Sequence, residues 1–97
     1  MKDKGEIFAK LIHIAAEKGV KVQLFPEFQG YEGRLRGNRI GLRSAMSIDD
    51  INYTLAHELA HFYLHFDKGD TIGSEGHSDY EEQADRTALL LLDALAV

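Results

Sequence analysis

Thr54-Leu55-Ala56-His57-Glu58-Leu59-Ala60-His61-Phe62 is the stretch on which the reading of this chain turns. It sets His-Glu-x-x-His inside a segment that reads as helix on both sides, a pattern whose physical meaning is a zinc site. At about 100° per residue, positions i and i+4 lie roughly 40° apart and one turn along, so both imidazoles aim at one point. Two neutral nitrogen donors there suit Zn2+, which accepts tetrahedral geometry and can keep one position open for water. Glu58 falls on the flank of that face, where its carboxylate can take a proton from an activated water rather than bind the ion. The same letters occur by chance in ordinary helices, so the surroundings have to decide.

The surroundings favour a metal. Ser47-Ile48-Asp49-Asp50 opens the helix: Ser47 can cap the free amides, Asp50 has capping-box spacing, and both aspartates suit the positive end of the helix dipole. From Ile48 to Phe66 the apolar stripe is Ile51, Leu55, Leu59, Phe62 and Phe66. His57 and His61 lie off that stripe, on a face with Thr54. Two histidines in register away from the core stripe call for something to bind. His65 continues the spacing but stands about 12 Å along the axis from His57, too far to share one ion.

Upstream, residues 1–19 read as a helix, with Ile7, Phe8, Leu11, Ile14 and Ala15 at helical spacing and Gly19 as the stop. His13 in that helix reads as a surface or boundary histidine rather than a ligand. Val20 to Phe25 alternates apolar and polar like a half-buried strand that Pro26 ends. Residues 28–36 read as an irregular turn or short hairpin region. Asn38 to Arg43 is a second alternating strand, with Ile40 and Leu42 inward and Arg39 and Arg43 outward. Those arginines mark a sheet edge, open to an extended peptide by strand addition or merely guarded against aggregation. Downstream, 67–77 is a polar, glycine-punctuated loop, and a last helix runs from about Ser78 to Ala94. His77, near the end of the loop, is a candidate to stabilise an oxyanion on a substrate carbonyl, although a loop histidine is more often simply solvated.

Composition sets the limits. With 97 residues the chain makes one domain, 1–97, and with no cysteine it has neither a disulfide framework nor a thiolate ligand, so any metal must rest on histidine and carboxylate. No stretch approaches the roughly 18 apolar residues of a membrane span, and the N-terminus lacks a signal-peptide pattern, so a cytoplasmic protein is expected. The net charge of −5 argues against direct nucleic-acid binding. Residues 1–43 carry nine Lys/Arg and five Asp/Glu, whereas residues 44–97 carry two and eleven. The acidic half holds the metal motif, which favours divalent cations and basic peptides there, although a solvated acidic surface explains most of the imbalance equally well.

A catalytic zinc site needs three protein ligands. Tyr80-Glu81-Glu82-Gln83-Ala84-Asp85-Arg86 offers the third. On a helical wheel Glu81 shares a face with Asp85, Ala88, Leu92 and Leu95, while Glu82 falls beside Arg86 and Asp93. The wheel therefore favours Glu81 over Glu82, against the plainer reading that Glu81 only completes a capping box with Ser78.

Leu55-Ala56-His57-Glu58-Leu59-Ala60-His61 together with Glu81-Glu82-Gln83-Ala84-Asp85-Arg86-Thr87-Ala88 resembles the ImmA/IrrE metallopeptidase family of bacteria and phages. Thr87 stands where that family usually carries phenylalanine. The resemblance implies an α+β fold: a small zincin-like domain with an N-terminal helix, a short two- to three-stranded sheet, the active-site helix and a C-terminal helix. It implies a zinc-dependent endopeptidase acting on a protein partner, often a DNA-binding repressor of a phage, mobile element or stress response. His57, His61 and Glu81 would hold Zn2+, Glu58 would act as general base and then acid, and Asp85 would orient a ligand histidine. Two other readings are a metal-binding regulatory module of the same fold that cleaves nothing, and a purely structural domain. The residues alone leave the substrate and the oligomeric state open.

Overall fold

The structure, a computed structural model, describes residues 3–26, 32–65 and 77–97. Helix α1 (Lys4–Glu17) starts where Asp3 accepts the Glu6 amide at 2.9 Å, so the expected helix begins three residues late, at its cap. Ile7, Leu11 and Ala15, each four residues apart, are its buried stripe. It ends as expected at Gly19, whose φ of 73° is the left-handed conformation. There Val20 N–H donates to the Ala15 carbonyl at 2.8 Å and Gly19 N–H to Ala16 at 3.1 Å, a Schellman motif. Val20 and Ala15 are both buried, which supplies the apolar contact that accompanies this motif.

Three strands follow: β1 (Lys21–Phe25), β2 (Gly33–Arg36) and β3 (Arg39–Arg43), in the spatial order β1-β3-β2. β1 runs parallel to β3 in the register Val22↔Ile40, and β2 runs antiparallel to it with Leu35↔Ile40. β2 and β3 form a hairpin across Gly37-Asn38, where Gly37 takes a φ of 57°. A positive φ at the first of two loop residues is what a tight hairpin of the primed type requires, hence the glycine.

The order of the strands corrects one expectation. β3, read as the sheet edge, is the middle strand, paired on both sides, and the edges are β1 and β2. The alternation along β3 is as read, with Ile40 and Leu42 buried. Along β1, an edge strand among the described residues, it fails at Leu24, which is exposed.

Helix α2 (Ile48–His65) is the centre of the molecule, packing against α1, β2, β3 and the last helix, α3 (His77–Leu95). Its start is as read: the Asp50 amide donates to Ser47 Oγ at 3.1 Å. Leu55, Ala56, Leu59 and Ala60 are buried, while Ile51 and Phe62 are half-buried at the rim of the core and Phe66 lies outside the described residues. The α+β layout expected from the sequence is thus present, with the metal motif on the helix that touches most of the fold. Among the described residues no helix is long and apolar enough to cross a membrane.

Candidate metal centre

Helix α2 presents Tyr53, His57 and His61 at successive four-residue steps, on one face. Helix α3 answers with Glu81 and Asp85, one turn apart. Glu81 meets His57 and His61, and Asp85 meets Tyr53 and His57, so the two helices run antiparallel along this seam. Buried Ala84 and Ala88 on the same side of α3 keep the helices close enough for short acidic side chains to reach across.

The distances define a converging group. Glu81 Oε2 lies 3.0 Å from His57 Nε2, and Glu81 Oε1 lies 3.0 Å from His61 Nε2. The two imidazole rings stand edge to face, 4.7 Å between centroids. One ligand atom from each of His57, His61 and Glu81 falls within 4.8 Å of the others. A cation with bonds of about 2.0–2.2 Å could draw that spread in. Glu82 points elsewhere, accepting from Arg86 at 2.6 Å on the exposed side of α3.

The donor set fits a metal on chemical grounds. His57 Nδ1 lies 3.1 Å from Asp85 Oδ1 while its Nε2 faces Glu81. A neutral imidazole has one N–H, so with Nδ1–H donated to Asp85 the Nε2 lone pair faces a carboxylate oxygen. Acceptor against acceptor is repulsive unless a second proton or a cation lies between. Two imidazole nitrogens and a carboxylate are the donors that zinc takes in open, three-ligand sites.

Glu58 lies beside this group, half-buried, and its desolvation pushes its carboxyl up to about 7, with His57 opposing the rise and Glu81 adding to it. Tyr53 donates its hydroxyl to Asp85 Oδ1. That bond, with burial and the charges of Asp85 and Glu81, raises the phenol to about 12. Nothing in the sequence reading singled out Tyr53, although it stands one turn before His57 on the same face. His77 opens α3 rather than closing the loop before it, and its side chain, like that of His65, lies outside the described residues. His13 is on the surface as expected, 3.3 Å from Glu17.

Residues 14–95 match the model of a peptidase family, the IrrE N-terminal-like domain. The chain belongs to this family. The match spans both site helices and all three strands, in keeping with the resemblance carried by the two motifs. No curated protein and no solved structure matches the chain. Membership indicates a metallopeptidase-type fold, and His57, His61 and Glu81 could hold a metal ion in it.

The site lies apart from a mainly apolar groove of about 300 Å³ between α1, α2 and α3, whose lining includes Ile14, Leu59, Tyr63 and Leu91. None of Tyr53, His57, Glu58, His61, Glu81 or Asp85 lines that groove.

Proposed function

We propose that this chain is a zinc-dependent endopeptidase of the cytoplasm that hydrolyses a peptide bond in a protein partner, with a DNA-binding repressor as the leading candidate. The observation that carries it is the arrangement around His57, where two ring nitrogens meet two carboxylates, so that a second proton or a cation belongs between Nε2 and Glu81. His57, His61 and Glu81 would hold the ion. When bound, zinc supplies a Lewis acid and lowers the pKa of a coordinated water towards neutrality.

The chain's own residues then have separate tasks. Asp85 accepts Nδ1–H of His57 and so keeps Nε2 free to ligate. Glu58, with its carboxyl near 7, is poised to accept a proton at neutral pH and to return it to the leaving amine nitrogen. A cation close by would favour its ionised, proton-accepting form. His77, at the start of α3, is the candidate for stabilising the oxyanion. The acidic balance of residues 44–97 favours a substrate segment with basic residues near the scissile bond.

The test is incubation of the zinc-loaded chain with a candidate repressor, alongside a chelator control and the Glu58→Gln variant. Cleavage at one site, lost with chelator and with Glu58→Gln although the variant still binds zinc, is the expected result. Binding of the repressor without cleavage under all conditions would replace this reading with that of a metal-binding partner module.

A further inference from the structure

We propose that Tyr53 is a positioning residue of the metal centre, acting through Asp85 to hold His57 in the orientation and tautomer that bind the ion. The proposal rests on the reading of His57 as a ligand and adds a residue to it.

The geometry forms a chain of three side chains. The Tyr53 hydroxyl donates to Oδ1 of Asp85, and the same oxygen lies 3.1 Å from Nδ1 of His57. Asp85 needs such a restraint. Its side chain is 51% exposed, so an unrestrained carboxylate would turn into water among several rotamers. Of its contacts, Tyr53 and His57 both come from α2, so the hydroxyl ties the carboxylate to the helix that carries the histidines. With Oδ1 held, the imidazole is favoured with its proton on Nδ1, and Nε2 is left as a lone pair towards Glu81 at 3.0 Å. The phenol ring adds a steric guide, its centroid 5.9 Å from that of His57 with the planes 35° apart. The Tyr53 hydroxyl is engaged with Asp85 rather than with a carboxylate or imidazole of the His57, His61 and Glu81 group.

A partner of a ligand histidine typically contributes about 10–100-fold to metal affinity. Because Asp85 is half open to water, the effect of removing the hydroxyl belongs at the lower end, about tenfold. The experiment measures zinc dissociation constants by chelator competition for the full chain and for Tyr53→Phe, Asp85→Ala and the double variant. The visible absorption spectrum of each cobalt-substituted form is recorded in parallel. Tyr53→Phe keeps the ring and removes one oxygen, so the metal-free protein should still fold cooperatively, with an unfolding temperature lowered by no more than the loss of one hydrogen bond. Expected are a roughly tenfold weaker affinity, shifted cobalt bands, at least as large a loss in Asp85→Ala, and no further loss in the double variant. Unchanged affinity and spectrum in Tyr53→Phe, beside a parent that binds zinc tightly, would overturn the role of Tyr53 alone. So would additive losses in the double variant, or a lower turnover rate with metal binding unchanged, which would make Tyr53 a direct participant. A parent chain that binds neither zinc nor cobalt would overturn the metal reading itself.

Discussion

Glu81 and Glu82 are adjacent and chemically identical, yet only one of them faces the histidines. Glu81 divides its two oxygens between His57 and His61, and Glu82 pairs with Arg86 four residues on, where the ion pair is exposed and contributes little. If Glu81 completes the metal site, Glu81→Gln should weaken zinc by orders of magnitude and Glu82→Gln should leave it within about twofold. Competition titration of both variants side by side checks this, and loss confined to the Glu82 variant would refute the assignment. The side was legible because a helical wheel needs only the sequence: it sets Glu81 on one face with Asp85, Ala88, Leu92 and Leu95, and Ala88 is buried in the fold. Tyr53 was not legible in the same way. Its partner Asp85 is 32 residues away, and no local periodicity encodes which acidic group a tyrosine one turn before His57 will meet.

The elements show the same division between what is local and what is not. Capping by Ser47, the stop at Gly19 and the inward pair Ile40 and Leu42 depend on residues a few positions apart, and the sequence shows them directly, whereas Asp3 reads as part of its helix and proves to be the cap. Which strand neighbours which depends on the whole chain, so outward arginines on β3 looked like an edge although two strands flank it. The Gly37-Asn38 pair between Arg36 and Arg39 was the local hint of the hairpin, a two-residue loop of a type that glycine opens. Gly33 on β2 has a reason that only the packing shows. A methyl group added there would lie 2.4 Å from Cγ2 of Thr54, 3.2 Å from Leu42 Cδ2 and 3.3 Å from the Gly41 carbonyl. Thr54 is buried on α2 with little room to give, so β2 lies close against the helix that carries the histidines. Gly33→Ala should therefore destabilise the fold by about 1–3 kcal/mol, as overpacked substitutions do. Thr54→Ser, which removes Cγ2, should recover much of that loss in the double variant. Urea unfolding midpoints of the four proteins close the cycle, and purely additive effects would show that the two residues do not press on each other.

At the scale of the whole molecule, α2 is both the structural centre and the carrier of the site, so the stability of the fold and the state of the site are coupled. Zinc that binds only the folded chain should raise the unfolding temperature in proportion to the logarithm of its free concentration, an effect that chelator reverses. The sharper consequence concerns pH in the metal-free protein. Burial holds the Glu58 carboxyl near 7 in the folded chain, against about 4.5 when unfolded. Below pH 4.5 both states are protonated and Glu58 contributes no slope. Between about 4.5 and 7 the folded state keeps a proton that the unfolded state has released, so stability falls as pH rises. Above 7 both are ionised and the cost of a buried charge is fully present. At about 1.4 kcal/mol per pKa unit, the total is a few kcal/mol at most. Other groups titrate in the same window, so the informative quantity is a difference between two proteins. Glu58→Gln has no proton to lose at that position and should lack this component of the slope. Unfolding free energies in chelator, taken from pH 4.5 to 7.5, should show the parent losing ground steadily to the variant. Parallel curves for the two proteins would mean that Glu58 is ionised in the folded state throughout, and would remove the reason for assigning it a proton affinity matched to neutral pH.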